Sequence, residues 1–301
     1  MQSPEMKSSV EPAAASSRPN TGLRRTVATV LVVAAVLGAI VGYAVVGFAF
    51  TATLIGGADR TLDNVVSHQN SLNKSFNDVN STFTALSSSS TYNPTQAKAA
   101  VDQWLAGSRS AALTIDHDDQ ALVSASHGLG QLPWLTALSR SSLDRETRRI
   151  SHARLALSSA RTVAADYMQD GQFWEAFIKS AQDFEGAITA AGAGDWAAAR
   201  TAVDQMTADV NTALQMSGAP GLPVELKSAM TDWQSLATDY GKLVDASRAG
   251  DDAAVATASS AVGADANTLS AYNYDKINTE ITDYYKPLID RFNAEMANAT
   301  S

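Results

Sequence analysis

The sequence predicts an all-α protein: a single N-terminal transmembrane helix followed by an antiparallel helical bundle built from repeated α-hairpins. Three observations predict it. Residues 26–58 carry no charged side chain. Beyond them apolar residues recur three and four apart, and no alternation of period two appears. An Ala-Gly-Asp segment and its flanks recur at an offset of 56 residues, the mark of a stacked supersecondary unit.

Residues 1–25 are rich in Ser, Pro and Ala and nearly free of large apolar side chains. Such a tail cannot offset its chain entropy and is expected to be disordered. The span at 26–58 exceeds the roughly 20 apolar residues that cross a bilayer as a helix. It also exceeds the apolar region of a cleaved leader, about 7–15 residues, and Ala49-Phe50-Thr51 is a poor cleavage site. A retained signal-anchor follows. Arg24 and Arg25 abut its start, whereas Arg60 on the far side stands beside Asp59 and Asp63. The basic bias places the N-terminus in the cytoplasm and residues 59–301 outside, a single-pass arrangement at the cell membrane. Ala34, Gly38 and Gly42 share one face of the span, where small residues let two spans pack closely.

Leu62, Val65, Leu72, Phe76, Val79, Phe83 and Leu86 form one seam along a helix over 59–87. Asn93-Pro94 opens the next helix, with Ala97, Val101, Trp104, Ala111, Ile115 and Leu122 inward and a stop near 128–130. A sub-boundary is expected near 128–133. Leu143, Ile150, Ala153, Leu157, Ala160, Ala164 and Tyr167 mark a third helix with room to run on past Gly171, and Phe173 to Ile188 give a fourth, the most aromatic. Leu226, Met230, Trp233, Ala237, Tyr240 and Val244 form the inner face of another. Tyr274, Ile277, Ile281, Tyr284, Leu288 and Phe292 form that of the last, which Pro287 is expected to kink or interrupt.

The repeat pairs Ala193-Gly194-Asp195 with Ala249-Gly250-Asp251, Thr201 with Thr257, Asp209 with Asp265 and Thr212 with Thr268. Upstream it pairs Phe177 with Trp233, Asp183 with Asp239 and Phe184 with Tyr240. In each copy the Gly suits the left-handed end of one helix and the Asp suits the cap of the next. Each unit is a hairpin with an apolar face that stacks on a neighbour.

The chemistry is mostly exclusion. The chain lacks cysteine, so it has no disulfide and no thiolate nucleophile. Residues 59–301 hold 29 acidic against 18 basic residues, which repels nucleic acid. His68, His117, His127 and His152 lack metal-binding spacing, and Asp116-His117-Asp118-Asp119 fans around a helix axis. Ser71-Leu72-Asn73-Lys74 has a serine–lysine spacing without companion motifs, and the glycines at 192–194 follow a helix rather than a strand. No catalytic residue, metal or cofactor is therefore expected, and the protein reads as a non-enzyme. One cluster stands out: Arg140, Arg145, Arg148, Arg149, Arg154 and Arg161, opposed locally only by Asp144 and Glu146. It pairs either with the acidic second half of the chain or, through Arg145, Arg148 and Arg149, with an anionic partner.

The expectation is a non-catalytic extracytoplasmic scaffold or interaction protein. The lipid bilayer holds residues 26–58, and the partner is another envelope protein or a second copy. The alternative is a ligand-sensing module with Trp174, Phe177, Phe184, Trp196, Trp233 and Tyr240 around a pocket, signalling through a partner protein. Aromatics at helical spacing are more often plain core, so a small-molecule ligand is disfavoured.

Overall fold

The computed structural model describes residues 60–68, 94–130 and 140–301. Residues 60–68 are helical. Six longer helices follow: α1 (Pro94–Gly130), α2 (Arg140–Gly192), α3 (Trp196–Met216), α4 (Val224–Ala249), α5 (Asp252–Ser270) and α6 (Tyr274–Thr300). No strand occurs among the described residues, and the molecule is an all-α bundle. The tail, the predicted span with Ala34, Gly38 and Gly42, and the seam from Leu72 to Leu86 lie outside the described residues. Among the described residues no helix is long and apolar enough to cross a membrane.

The spine of the bundle is α2. Its 53 residues extend about 80 Å at 1.5 Å per residue. α1 and α6 pack on it, α3 packs on it in turn, α4 covers α3, and α5 covers α4. Cross-helix contacts fix the directions. Arg154 Nε lies 2.7 Å from Asp119 and Arg161 Nε 2.9 Å from Asp116, so α1 runs antiparallel to α2. Arg149 Nε donates to the Ala299 carbonyl at 2.8 Å and His152 contacts Glu295 at 2.6 Å, so α6 is antiparallel to α2 as well.

The third and fourth helices of the sequence reading are one uninterrupted helix. Gly171 does not break it, and its missing side chain leaves room for α1: a Cβ there would stand 2.5 Å from Leu105 Cδ2. The inward residues expected on α1 are all buried, as are Leu62 and Val65. Ile188 on α2 is instead exposed. On α6 the buried seam is Ile277, Ile281, Tyr285, Ile289, Phe292 and Met296. Tyr284 is 42% exposed rather than inward, because its neighbour Tyr285 reaches the buried Asp170 at 2.7 Å. α6 also runs through Pro287 without interruption. That residue and Asp283 lie on the solvent face, so the carbonyl left without a helical donor faces water.

The two repeated turns match atom for atom. Gly194 and Gly250 take φ of 76° and 68°, the left-handed region that a side chain disfavours. Asp195 N–H donates to the Ala190 carbonyl at 2.9 Å and Asp251 N–H to the Ala246 carbonyl at 3.1 Å, the same helix-ending bond. The Asp195 carboxylate accepts from Ala198 N–H and the Asp251 carboxylate from Ala254 N–H, each at 3.0 Å. The repeat-related residues also touch: Phe177 meets Trp233 with ring centres 5.8 Å apart, and Phe184 meets Tyr240 at 5.2 Å. The two hairpins therefore stack through equivalent faces.

Candidate functional site

The aromatic cluster is closed core. Trp174, Phe177, Phe184, Trp233 and Tyr240 are all buried, and each ring packs on another at centre distances of 5.2 to 6.0 Å. Trp233 Nε1 donates to Ser180 Oγ at 3.0 Å, and Ser180 Oγ donates to the Phe177 carbonyl at 2.7 Å. The rings fill one another's edges and faces; Trp196 stands at the half-exposed rim.

The arginine cluster divides. Arg154 and Arg161 bind Asp119 and Asp116 of α1. Burial alone would raise Asp119, yet Arg154 and Arg161 hold it below the usual carboxylate range. Arg149 is engaged twice, by buried Glu146 at 2.7 Å and by the Ala299 carbonyl. Arg145 and Arg148 stay exposed and contact no carboxylate among the described residues. Of the three arginines offered for docking, Arg149 is therefore a clamp between α2 and α6, and the other two remain available.

The acidic-histidine run at 116–119 is likewise engaged. Buried Asp118 contacts His68 Nδ1 at 2.8 Å, a meeting of distant segments that no local spacing could foretell. Among the described residues no group of three His, Asp or Glu is arranged to hold a metal ion.

Carboxyl pairs are what the sequence reading missed. Asp183 on α2 faces Asp209 on α3, and Asp239 on α4 faces Asp265 on α5. All four are half-buried. Burial, with the facing Asp209 carboxyl, pushes Asp183 up to about 6. Burial and then the charges of Asp239 and Asp232 raise Asp265, against Lys242. The signal was present: both pairs obey the same offset of 56 residues, and a hairpin register places them opposite each other.

The outermost helix, α5, carries the remaining feature. Among the helix pairs in extensive contact, it packs on α4 alone. Its residues from Ala253 to Ala264 carry no charge. The repeat supplies an internal control. On α3 half-buried Arg200 stands on the face that meets α4, pairing with Asp204 at 3.0 Å and across the helices with Asp245 of α4 at 3.1 Å. On α5 the equivalent positions are Ala256 and Ser260, both exposed, alongside exposed Gly263, Ala264 and Asn267. The face through which α3 meets its neighbour α4 by an ion pair is thus small, neutral and exposed on the edge helix. No protein-family model, curated protein or solved structure matches this chain.

Proposed function

We propose that this protein is a non-catalytic helical scaffold, held in the cell membrane by residues 26–58, that binds another envelope protein or a second copy of itself outside the membrane. The observation that carries the reading is the outer face of α5. A solvated helix normally keeps charged residues on its free side. The face by which α3 meets α4 carries the Arg200 ion pairs, whereas the same face of α5 is exposed, uncharged and lined by small residues, which suits close helix-to-helix approach. The polar chemistry elsewhere supports the same reading. The Asp116–Asp119 carboxylates and Arg149, Arg154 and Arg161 are spent on bundle contacts.

Two measurements test it. Protease added to intact cells should digest the hairpins while leaving the anchor. Detergent extracts of crosslinked membranes should contain the chain in a complex. Hairpins that are cut only after lysis contradict the location, and a strictly monomeric chain under several extraction conditions contradicts the interaction role. The ligand-sensing alternative predicts that some small-molecule class raises the melting temperature; the closed packing of the aromatic rings favours the scaffold.

A further inference from the structure

Asp170 is completely buried on α2, and nothing described around it is a cation. Its Oδ2 lies 2.7 Å from Tyr285 Oη on α6, and its Oδ1 has no hydrogen-bond partner. Among the described residues the groups facing it are few. Asp166, one turn earlier on α2, is buried too and carries the same sign of charge. Its Oδ2 lies 3.5 Å from Tyr284 Oη. Tyr167 packs its ring on Tyr285 at 4.9 Å and on Trp104 of α1 at 5.7 Å. From α1 the neighbours at this level are apolar, Trp104 and the Leu105 side chain against Gly171. From the loop between α3 and α4 comes the Pro220 carbonyl, 3.1 Å from Tyr285 Oη.

The proton count is decisive. The Tyr285 hydroxyl has one proton and two acceptors, Asp170 Oδ2 and the Pro220 carbonyl. With Asp170 ionised, that proton goes to the carboxylate, and the carbonyl loses its donor. The charge then sits buried beside Asp166, with no cation described near it to offset the lost hydration. With Asp170 neutral, its own Oδ2–H donates to Tyr285 Oη, and Tyr285 donates to Pro220. The chain then runs one way and both contacts are served.

We propose that Asp170 is a neutral acid in the native protein and that its proton locks the α3–α4 loop onto α6. The lock joins the two hairpins to the C-terminal helix. The chain is built for contact: Gly221 has φ of 88°, and a Cβ there would stand 2.6 Å from Tyr285 Oη. Burial pushes the Asp170 carboxyl well above the usual carboxylate range, the Tyr285 bond opposes that shift, and Asp166 adds to it. Burial likewise raises the Tyr285 hydroxyl, so it keeps its proton. Because the folded value is raised, the lock is complete at acidic pH and is lost as pH rises through that value, by about tenfold per unit beyond it.

The test uses the full chain in detergent micelles. Asp170→Asn reproduces the neutral acid's shape and its donor toward Tyr285. The variant is expected to melt no lower than wild type at about pH 6. It is also expected to keep the 217–223 loop protected from hydrogen exchange as pH is raised into the alkaline range, where wild type loses protection. Difference infrared spectra of wild type at neutral pH should show a carboxylic-acid C=O band that the variant lacks. An Asp170→Asn chain that fails to fold, or melts lower at every pH, overturns the neutral-acid assignment. So does stabilisation of wild type, and not of the variant, by calcium or potassium at alkaline pH, which would assign a cation to the same oxygens.

Discussion

Gly221 shows how much a single missing Cβ can decide. Its backbone is left-handed, and the space a side chain would need is filled by the Tyr285 ring and hydroxyl. Gly221→Ala is expected to cost about 2–5 kcal/mol, from overpacking and from the left-handed strain together. Gly194→Ala and Gly250→Ala meet only open space, so the backbone term alone applies and the loss should be about 1–2 kcal/mol each. Chemical denaturation of the three variants checks the order. Ser180→Ala is a separate residue-scale case. It leaves the buried Trp233 N–H without its acceptor and should destabilise by about 1–3 kcal/mol, with a shift in tryptophan fluorescence.

The hairpin is the unit of this fold at the scale of elements. Each hairpin turn ends one helix on a glycine and caps the next with an aspartate. Asp195→Ala and Asp251→Ala should each lower stability by about 1 kcal/mol, the ordinary worth of an N-cap. The two losses should add in the double variant, because the turns share no bond. The helices themselves differ in support. α3 is held on both sides, by α2 and α4, whereas among the described helices α5 has extensive contact with α4 only. Hydrogen exchange should therefore proceed fastest in α5 among these helices, and a bound partner should slow it there.

At the scale of the whole molecule, raised carboxyls outnumber lowered ones among the described residues. Asp166, Asp170, Asp183 and Asp265 are all raised by burial before any other cause, whereas Asp119 is lowered by its arginines. A raised folded value gives stability that is full below the unfolded value, near 4, and is lost as pH climbs through the folded one, about 6 for Asp183. The melting temperature should accordingly rise as pH falls from about 8 to about 5. Asp183→Asn should flatten the middle of that rise. At still lower pH the Asp119 contribution is lost and stability should turn down.

Much of this architecture was legible in the sequence, for local reasons. Three-four spacing found α1 and its six inward residues, and the repeat found both turns, since a glycine end and an aspartate cap act within a few residues. What was not legible depended on distant neighbours. The spacing lets the third helix run on past Gly171 but cannot show that Leu105 lies over that glycine, and the seam of α6 shifts by one residue because Tyr285 has a partner on α2. The carboxyl pairs stood in the aligned repeat, but pairing them required knowing which helices face each other. The buried Asp170 gives no sign in the sequence, because a lone aspartate in a helix is usually solvated.

The outward face of α5 is the claim on which the function rests, and a photo-crosslinking amino acid tests it most directly. Placed at Ala256 or Ala264 in the full chain and irradiated in intact cells, it should give a discrete adduct of higher mass. The same probe at Lys227, an exposed position on α4, should give none. Equal labelling from all three positions, or no adduct from α5 at all, would contradict the account.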